Sequence, residues 1–212
     1  MMSISIPAVL AFQYPHWIYI ANCIPNPDDI FDLLMEQVKN MVASYMVSSA
    51  YQPDKMYPSK RLSCVFSKEK RDSAYGDSIP TYNWEDSSIV SGIKAWVEDI
   101  LTFLIRLEDP NAPEIKFDYA LLHLYRTGDD TISWHSDREG RTSHIASVSL
   151  GATRKFRFRR MGETKGFEEE YELESGACVI MKPSCQHNYL HCVPVEKRVK
   201  EPRLNITFRM NK

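Results

Sequence analysis

The chain has 212 residues, 43% hydrophobic and 25% charged, with a formal net charge of -2. At roughly 100–200 residues per domain this is one compact domain, and the near-neutral balance excludes binding nucleic acid by bulk positive charge while leaving room for local basic patches. Five cysteines, Cys23, Cys64, Cys178, Cys185 and Cys192, are an odd number at irregular spacing without a C-x-x-C pair, which excludes a disulfide framework or zinc ribbon and points to a reducing, intracellular setting.

The opening MMSISIPAVLAF has no Lys or Arg ahead of it and contains Pro7, so it reads as a first strand rather than a signal sequence. No apolar run approaches the ~18 residues that span a bilayer, and a soluble protein without a membrane partner is expected. Asn26-Pro27 followed by Asp28 and Asp29 marks a helix start. Ile30, Leu33, Leu34, Val38, Met41 and Val42 continue it at helical spacing. A second helix begins after Asp86-Ser87, carries Ile89, Ile93, Trp96, Val97, Ile100, Leu101 and Leu104 on one face, and stops near Asp109-Pro110. Between them, from about Val47 to Asn83, lies a stretch without periodicity, as expected of a lid or binding loop. From Phe117 onward short alternating runs predict strands at 118–125, 131–135, 145–150, 154–160, 168–173, 177–182, 187–193 and 203–210. The expected class is α+β, mainly β. Residues 1–116 would carry helices and lid, and residues 117–212 a β sandwich or barrel, within one compact monomer.

The last of these runs is the most regular. Leu204, Ile206, Phe208 and Met210 share one face, and Arg203, Asn205, Thr207 and Arg209 share the other. Upstream, Ser133-Trp134-His135-Ser136-Asp137 contains H-x-D. In extended chain that spacing sends imidazole and carboxylate to one side, where both can reach a common ion. Two downstream histidines, His187 and His191, can each complete a two-histidine, one-carboxylate set, the facial triad of non-haem Fe(II) oxygenases. Such a site commonly takes a 2-oxo acid whose far carboxylate is held by a buried arginine, and the arginine face of the last strand can supply it. The order H-x-D, strands, His, Arg suits a double-stranded β-helix, or jelly-roll, with these groups converging at one mouth.

Four segments in order, His135-Ser-Asp137, Ile145-Ala-Ser-Val-Ser-Leu-Gly-Ala-Thr-Arg154, Tyr189-Leu-His191-Cys-Val-Pro194 and Glu201-Pro-Arg-Leu-Asn-Ile-Thr-Phe-Arg209, resemble the AlkB family of Fe(II)- and 2-oxoglutarate-dependent nucleic-acid dealkylases, above all its eukaryotic DNA and RNA repair members. The resemblance implies that His135, Asp137 and His191 bind Fe(II), His191 being preferred because it precedes Cys-Val-Pro. It implies that Arg203 and Arg209 grip 2-oxoglutarate, with Asn205 and Thr207 assisting and Tyr125 donating to a cofactor carboxylate. His123 stands where the family usually has asparagine, and imidazole can replace the amide as donor. Glu139 falls where family members place an acidic residue near the target base. Ala74-Tyr75-Gly76-Asp77 with Tyr82 matches a base-recognition lid, although Lys70-Arg71 precedes it where the family has Pro-Arg.

Two basic clusters accompany these motifs. Lys60-Arg61, Lys68, Lys70 and Arg71 suit a nucleic-acid backbone. Lys155, Arg157 and Arg159 are better placed to pair with Glu168, Glu169, Glu170 and Glu172 across a hairpin. The resemblance implies oxidative demethylation of N-alkylated bases such as 1-methyladenine and 3-methylcytosine in DNA or RNA, using Fe(II), O2 and 2-oxoglutarate and releasing succinate, CO2 and formaldehyde. The alternative is a 2-oxoglutarate oxygenase acting on a protein side chain, which would need no base-stacking lid. A non-catalytic binding module would be expected to have lost a ligand, and a zinc cupin leaves the paired arginines unexplained.

Overall fold

The structure is a computed structural model and describes residues 11–48, 54–68, 79–137 and 141–211. The first ten residues, most of the expected first strand, lie outside them. The fold is mainly β, with two facing sheets of a double-stranded β-helix. The strands are β1 (Ala11–Gln13), β2 (Trp17–Ile20), β3 (Met46–Ser48), β4 (Met56–Pro58), β5 (Leu62–Ser67), β6 (Thr81–Tyr82), β7 (Tyr119–Tyr125), β8 (Ile132–His135), β9 (Ile145–Gly151), β10 (Arg154–Arg160), β11 (Glu169–Leu173), β12 (Cys178–Met181), β13 (Tyr189–Val193) and β14 (Arg203–Arg209). The helices are α1 (Pro27–Val38), α2 (Ser88–Glu108) and the short α3 (Pro183–Asn188). No helix among the described residues is long and apolar enough to cross a membrane.

The major sheet runs β1-β2-β12-β9-β14-β7-β5-β6, the minor sheet β11-β10-β13-β8, and β3 pairs with β4 alone. β14 lies between β7 and β9, antiparallel to both, and every residue in it is buried. Its alternation therefore separates two interiors rather than core from solvent. Leu204, Ile206 and Phe208 join Leu34, Val97 and Leu101 of the helices in the larger apolar core. The opposite face turns toward the minor sheet, where Trp17, Phe156, Phe158, Val179 and Tyr189 form a second core.

The helices start as their sequence signals require. The Ser87 hydroxyl accepts from the Val90 amide at 3.1 Å, and Pro27 occupies the first turn of α1. α1 ends at Val38, so Met41 and Val42 lie beyond it, packed as partly buried side chains against the larger core. The stretch expected to be irregular contains β5, an inner strand of the major sheet paired with β7 and β6. Its sequence hides it because both faces are covered: Cys64 and Phe66 enter the larger core, Val65 enters a third cluster with Tyr45 and Leu121, and Ser63 is fully buried. The strand expected at 187–193 begins at Tyr189, because Pro183 opens a helix that runs through Asn188. All five cysteines are buried and unpaired.

Arg154 ties the loops at one end of the barrel together. It is 1% exposed, donates from Nε to Glu196 at 3.0 Å, and reaches the carbonyls of Thr127, Asp130 and Pro194 at 3.2, 3.0 and 2.8 Å. These acceptors sit on the β7–β8 and β13–β14 connections. Gly128 lies inside the same bracket, where a Cβ would stand 1.9 Å from the Glu196 carbonyl oxygen. Replacing Arg154 with Met leaves a carboxylate and several carbonyls without their donor. The expected loss is about 3–5 kcal/mol of unfolding free energy, read as a lower urea midpoint with unchanged slope.

Candidate metal centre and cofactor pocket

His135 ends β8 and is the direct cross-strand partner of His191 in β13, beside an irregularity in the ladder. Their ring centroids are 4.2 Å apart. Asp137, two residues on, brings its carboxylate to the same place: Oδ1 lies 3.9 Å from His135 Nε2 and Oδ2 3.5 Å from His191 Nε2. One ligand atom from each of the three falls within 4.8 Å of the others, a span that one small cation can bridge. His135 Nδ1 is 2.8 Å from the Ser133 carbonyl, which can only accept. The proton therefore sits on Nδ1, leaving the Nε2 lone pair to face the ion, an outer contact that orients ligating histidines. His187, the other candidate ligand, is exposed in α3 near the Arg141 carbonyl and lies outside this group.

The electrostatics favour a cation. Burial alone would raise the Asp137 pKa, but Arg209, whose Nη2 donates to Oδ1 at 2.7 Å, together with His191 and His135 holds it well below the usual carboxylate range. Burial and the neighbouring His191 push His135 down to about 3. Both groups are thus in their metal-binding protonation states at neutral pH. Gln186, fully buried in α3, accepts from the Asp137 backbone amide through Oε1 at 2.7 Å and donates from Nε2 to Met181 Sδ at 3.3 Å. It fixes the H-x-D turn from behind. Sequence pattern gave no sign of it, since it lies in a six-residue helix, Pro183–Asn188, between two expected strands.

Above the three ligands opens a cavity of about 770 Å³, within the roughly 300–1,000 Å³ range of small-molecule sites. His123, Tyr125, Asn205, Thr207 and Arg209 line it with the triad. A polar row crosses its floor: Ser63 pairs with His123, His123 with Asn205 and Asn205 with Ser149 in register. Ser63 Oγ and His123 Nδ1 are 2.6 Å apart, and Asn205 Nδ2 donates to Ser147 Oγ at 2.9 Å. Burial, then Arg61 and Arg209, keeps His123 well below the ordinary histidine pKa, so its ring is neutral. Arg203 is not at the surface of the cavity. It is 1% exposed, its Cζ 5.0 Å from the centroid of the Tyr125 ring, and Nη2 donates to Ser149 Oγ at 2.8 Å. Among the described residues its Nε and Nη1 have no well-aligned hydrogen-bond acceptor, and burial pushes its pKa down to about 10 against the opposing influence of the neighbouring Tyr125 hydroxyl. A buried guanidinium with two open donors fits a carboxylate, so the residues present suit both a divalent metal and a 2-oxo dicarboxylic acid.

Lys70, Arg71, Tyr75 and Glu139 lie outside the described residues. Tyr82 sits in β6, its ring 5.9 Å from Phe66 and its hydroxyl donating to the Met41 carbonyl at 3.3 Å. It packs against the larger core and is not among the residues lining the cavity. The described wall on that side comes instead from Tyr45, Val47, Tyr57 and Pro58 around the β3–β4 hairpin, with Ser59, Lys60 and Arg61 after it. The second basic cluster pairs across β10 and β11: Lys155 and Arg157 meet Glu170 at 3.1 and 2.5 Å, and Arg160 meets Glu168 at 2.9 Å.

A model of the 2OG-Fe(II) oxygenase superfamily matches residues 20–209. Among curated proteins, alpha-ketoglutarate-dependent dioxygenase alkB homolog 3 of Homo sapiens is 40% identical over 103 residues, 44% of this chain and 36% of that protein. DNA oxidative demethylase ALKBH2 of Mus musculus is 31% identical over 150 residues, 66% of this chain and 61% of that one. The chain thus spans between about a third and three-fifths of these relatives. The solved structure of OsALKBH1 superposes with a TM-score of 0.64 at 17% identity, covering 94% of this chain and 99% of that chain, a likeness of fold.

The geometry separates the two downstream histidines and tests Gln186. His191→Ala should abolish Mn(II) or Co(II) binding in a calorimetric titration, whereas His187→Ala should bind like wild type. Gln186→Leu, which removes the acceptor behind Asp137, should weaken metal affinity by roughly 10–100-fold while the protein stays folded by circular dichroism.

Proposed function

The chain belongs to the 2OG-Fe(II) oxygenase superfamily, and on that premise we propose that it removes alkyl groups oxidatively from N-alkylated nucleobases such as 1-methyladenine and 3-methylcytosine in DNA or RNA. The observation that carries the reading is the presence of His135, Asp137 and His191 in one cavity wall with a buried guanidinium, Arg203, behind the lining residue Tyr125. The substrate class is supported by the relatives, one named as a DNA oxidative demethylase, and by the size of the cavity, which has room for a co-substrate and a flipped base.

When bound, Fe(II) and 2-oxoglutarate supply, from O2, an oxidant that hydroxylates an N-methyl carbon, with succinate and CO2 as co-products and the methyl group leaving as formaldehyde. His135, Asp137 and His191 would hold the metal. Arg209 keeps Asp137 ionised and fixes its Oδ1. Arg203, with Tyr125 beside it, would hold the far carboxylate of 2-oxoglutarate. Ser63 orients His123 through Nδ1, so that His123, Asn205 and Thr207, which line the cavity, would contact the co-substrate. Phe156, Ile132 and Val193 line the remaining wall and exclude water from the reacting centre. Lys70, Arg71, Tyr75 and Glu139 would grip and stack the base, as the resemblance implies.

The decisive assay supplies the purified protein with Fe(II), ascorbate and 2-oxoglutarate, offers methylated single- and double-stranded DNA and RNA, and reads methyl loss and formaldehyde by mass spectrometry. Methyl loss is expected. Turnover of 2-oxoglutarate with no loss from any nucleic acid would favour a protein side chain as substrate. Arg203→Met should raise the KM for 2-oxoglutarate roughly 10- to 150-fold, the worth of a hydrogen-bonded charge; an unchanged KM would remove Arg203 from the co-substrate site.

A further inference from the structure

Three arginines stand on or just beneath the cavity, and their counter-charges differ. Arg209 is paired with Asp137. Arg203, under the function proposed above, is matched by the far carboxylate of 2-oxoglutarate, whose other end goes to the metal. Arg61 is left over. It lies immediately before β5, is 8% exposed and lines the cavity. Among the described residues its Nη1 reaches the Thr131 carbonyl at 3.4 Å, its Cζ stands 5.9 Å from the centre of the Tyr45 ring, and its Nε has no hydrogen-bond partner. No ion pair among the described residues involves it. Buried charges are ordinarily paired, so a guanidinium nine-tenths buried and open to a cavity is prepared for an anion that arrives with a ligand.

The identity of that anion follows from charge. 2-Oxoglutarate has two carboxylates, and both are accounted for. The base is excluded as well, because 1-methyladenine and 3-methylcytosine are cations near neutral pH and would be repelled by Arg61. The remaining anion on a nucleic-acid substrate is its phosphodiester, whose oxygens match the planar fork of arginine. Arg61 is placed for it on the flank formed by the β3–β4 hairpin and β8, one residue before the Leu62–Leu124 pair and so level with Tyr125 and Arg203 but on the other side of β7 from Arg203; it lines the cavity, with Lys60 exposed beside it at the rim. We propose that Arg61 binds a backbone phosphate next to the target nucleotide. This site makes the enzyme select a base in a chain over the same base alone. The inference rests on the nucleobase reading given above.

The test compares wild type with Arg61→Met on two substrates, a short single-stranded oligonucleotide carrying one 1-methyladenine and the nucleoside 1-methyldeoxyadenosine. The expected result is a rise of about tenfold in KM for the oligonucleotide with kcat little changed, a several-fold smaller effect on the nucleoside, and no change in KM for 2-oxoglutarate. Oligonucleotide binding by the Mn(II)-loaded protein, read by fluorescence anisotropy, should lose about one unit of its logarithmic salt slope, the signature of one phosphate contact. If Arg61→Met unfolds, Arg61→Lys against Arg61→Gln makes the same comparison, with Lys keeping the salt slope and Gln losing it. Equal losses on nucleoside and oligonucleotide, a raised KM for 2-oxoglutarate, or an unaltered salt slope each overturn the proposal. Failure of the wild type to demethylate anything would count against the nucleobase reading instead, and the anisotropy result would still decide Arg61.

Discussion

The ion pair between Arg209 and Asp137 joins the two sheets at the point where the metal ligands meet. Arg209 belongs to the central strand of the major sheet, and Asp137 to the turn that leaves the minor sheet. Their 2.7 Å contact spans 72 residues of sequence in surroundings where both side chains are about 95% buried. A carboxylate so placed would be neutralised by protonation if it stood alone. With the guanidinium on Oδ1 it stays ionised, and Oδ2 is left toward His191. The geometry of the ligand set thus depends on the register of β14, since a slip of one residue would turn Arg209 into the apolar core and Phe208 into the cavity.

That dependence explains why the polar interior is tolerated. The row formed by Ser63, His123, Asn205 and Ser149 puts four hydrogen-bonding side chains on adjacent strands inside a protein. Such a row is stable only if its members satisfy one another. The contacts of His123 with Ser63 and of Asn205 with Ser147 and the Val148 carbonyl do so. The opposite face of the same sheet supplies the hydrophobic stabilisation, with α1 and α2 laid over Leu204, Ile206 and Phe208. The large apolar core and the polar cavity are two sides of one sheet, and the loop bracket around Arg154 keeps the strands that carry them from separating.

Much of this was legible in the sequence where a single face decides what a residue does. The alternation of Arg203 to Arg209, the H-x-D spacing, Pro27 at the start of α1 and the Ser87 cap of α2 are local signals, and the structure places those residues accordingly, whereas the Asn26 side chain makes no capping hydrogen bond. β5 was hidden because a strand covered on both sides has no reason to alternate. α3 was hidden because six residues are too few for a helical period to emerge, and with it went Gln186, whose importance lies in a partner 49 positions away. Arg61 was visible only as one member of a basic cluster; that it has no counter-charge among the described residues is a property of its surroundings in space. Arg203 was read correctly as facing the polar side, but its position beneath the ring of Tyr125 could not be inferred from spacing.

The cysteines acquire a different significance in this setting. Burial raises Cys64 and Cys185 to about 12 and Cys192 to about 11, and a contact with Cys23 together with burial raises Cys178 well above the ordinary thiol value. Thiolates, not thiols, react with electrophiles. With all five sulfur atoms in the interior, the protein presents electrophiles in solution with little thiolate to modify.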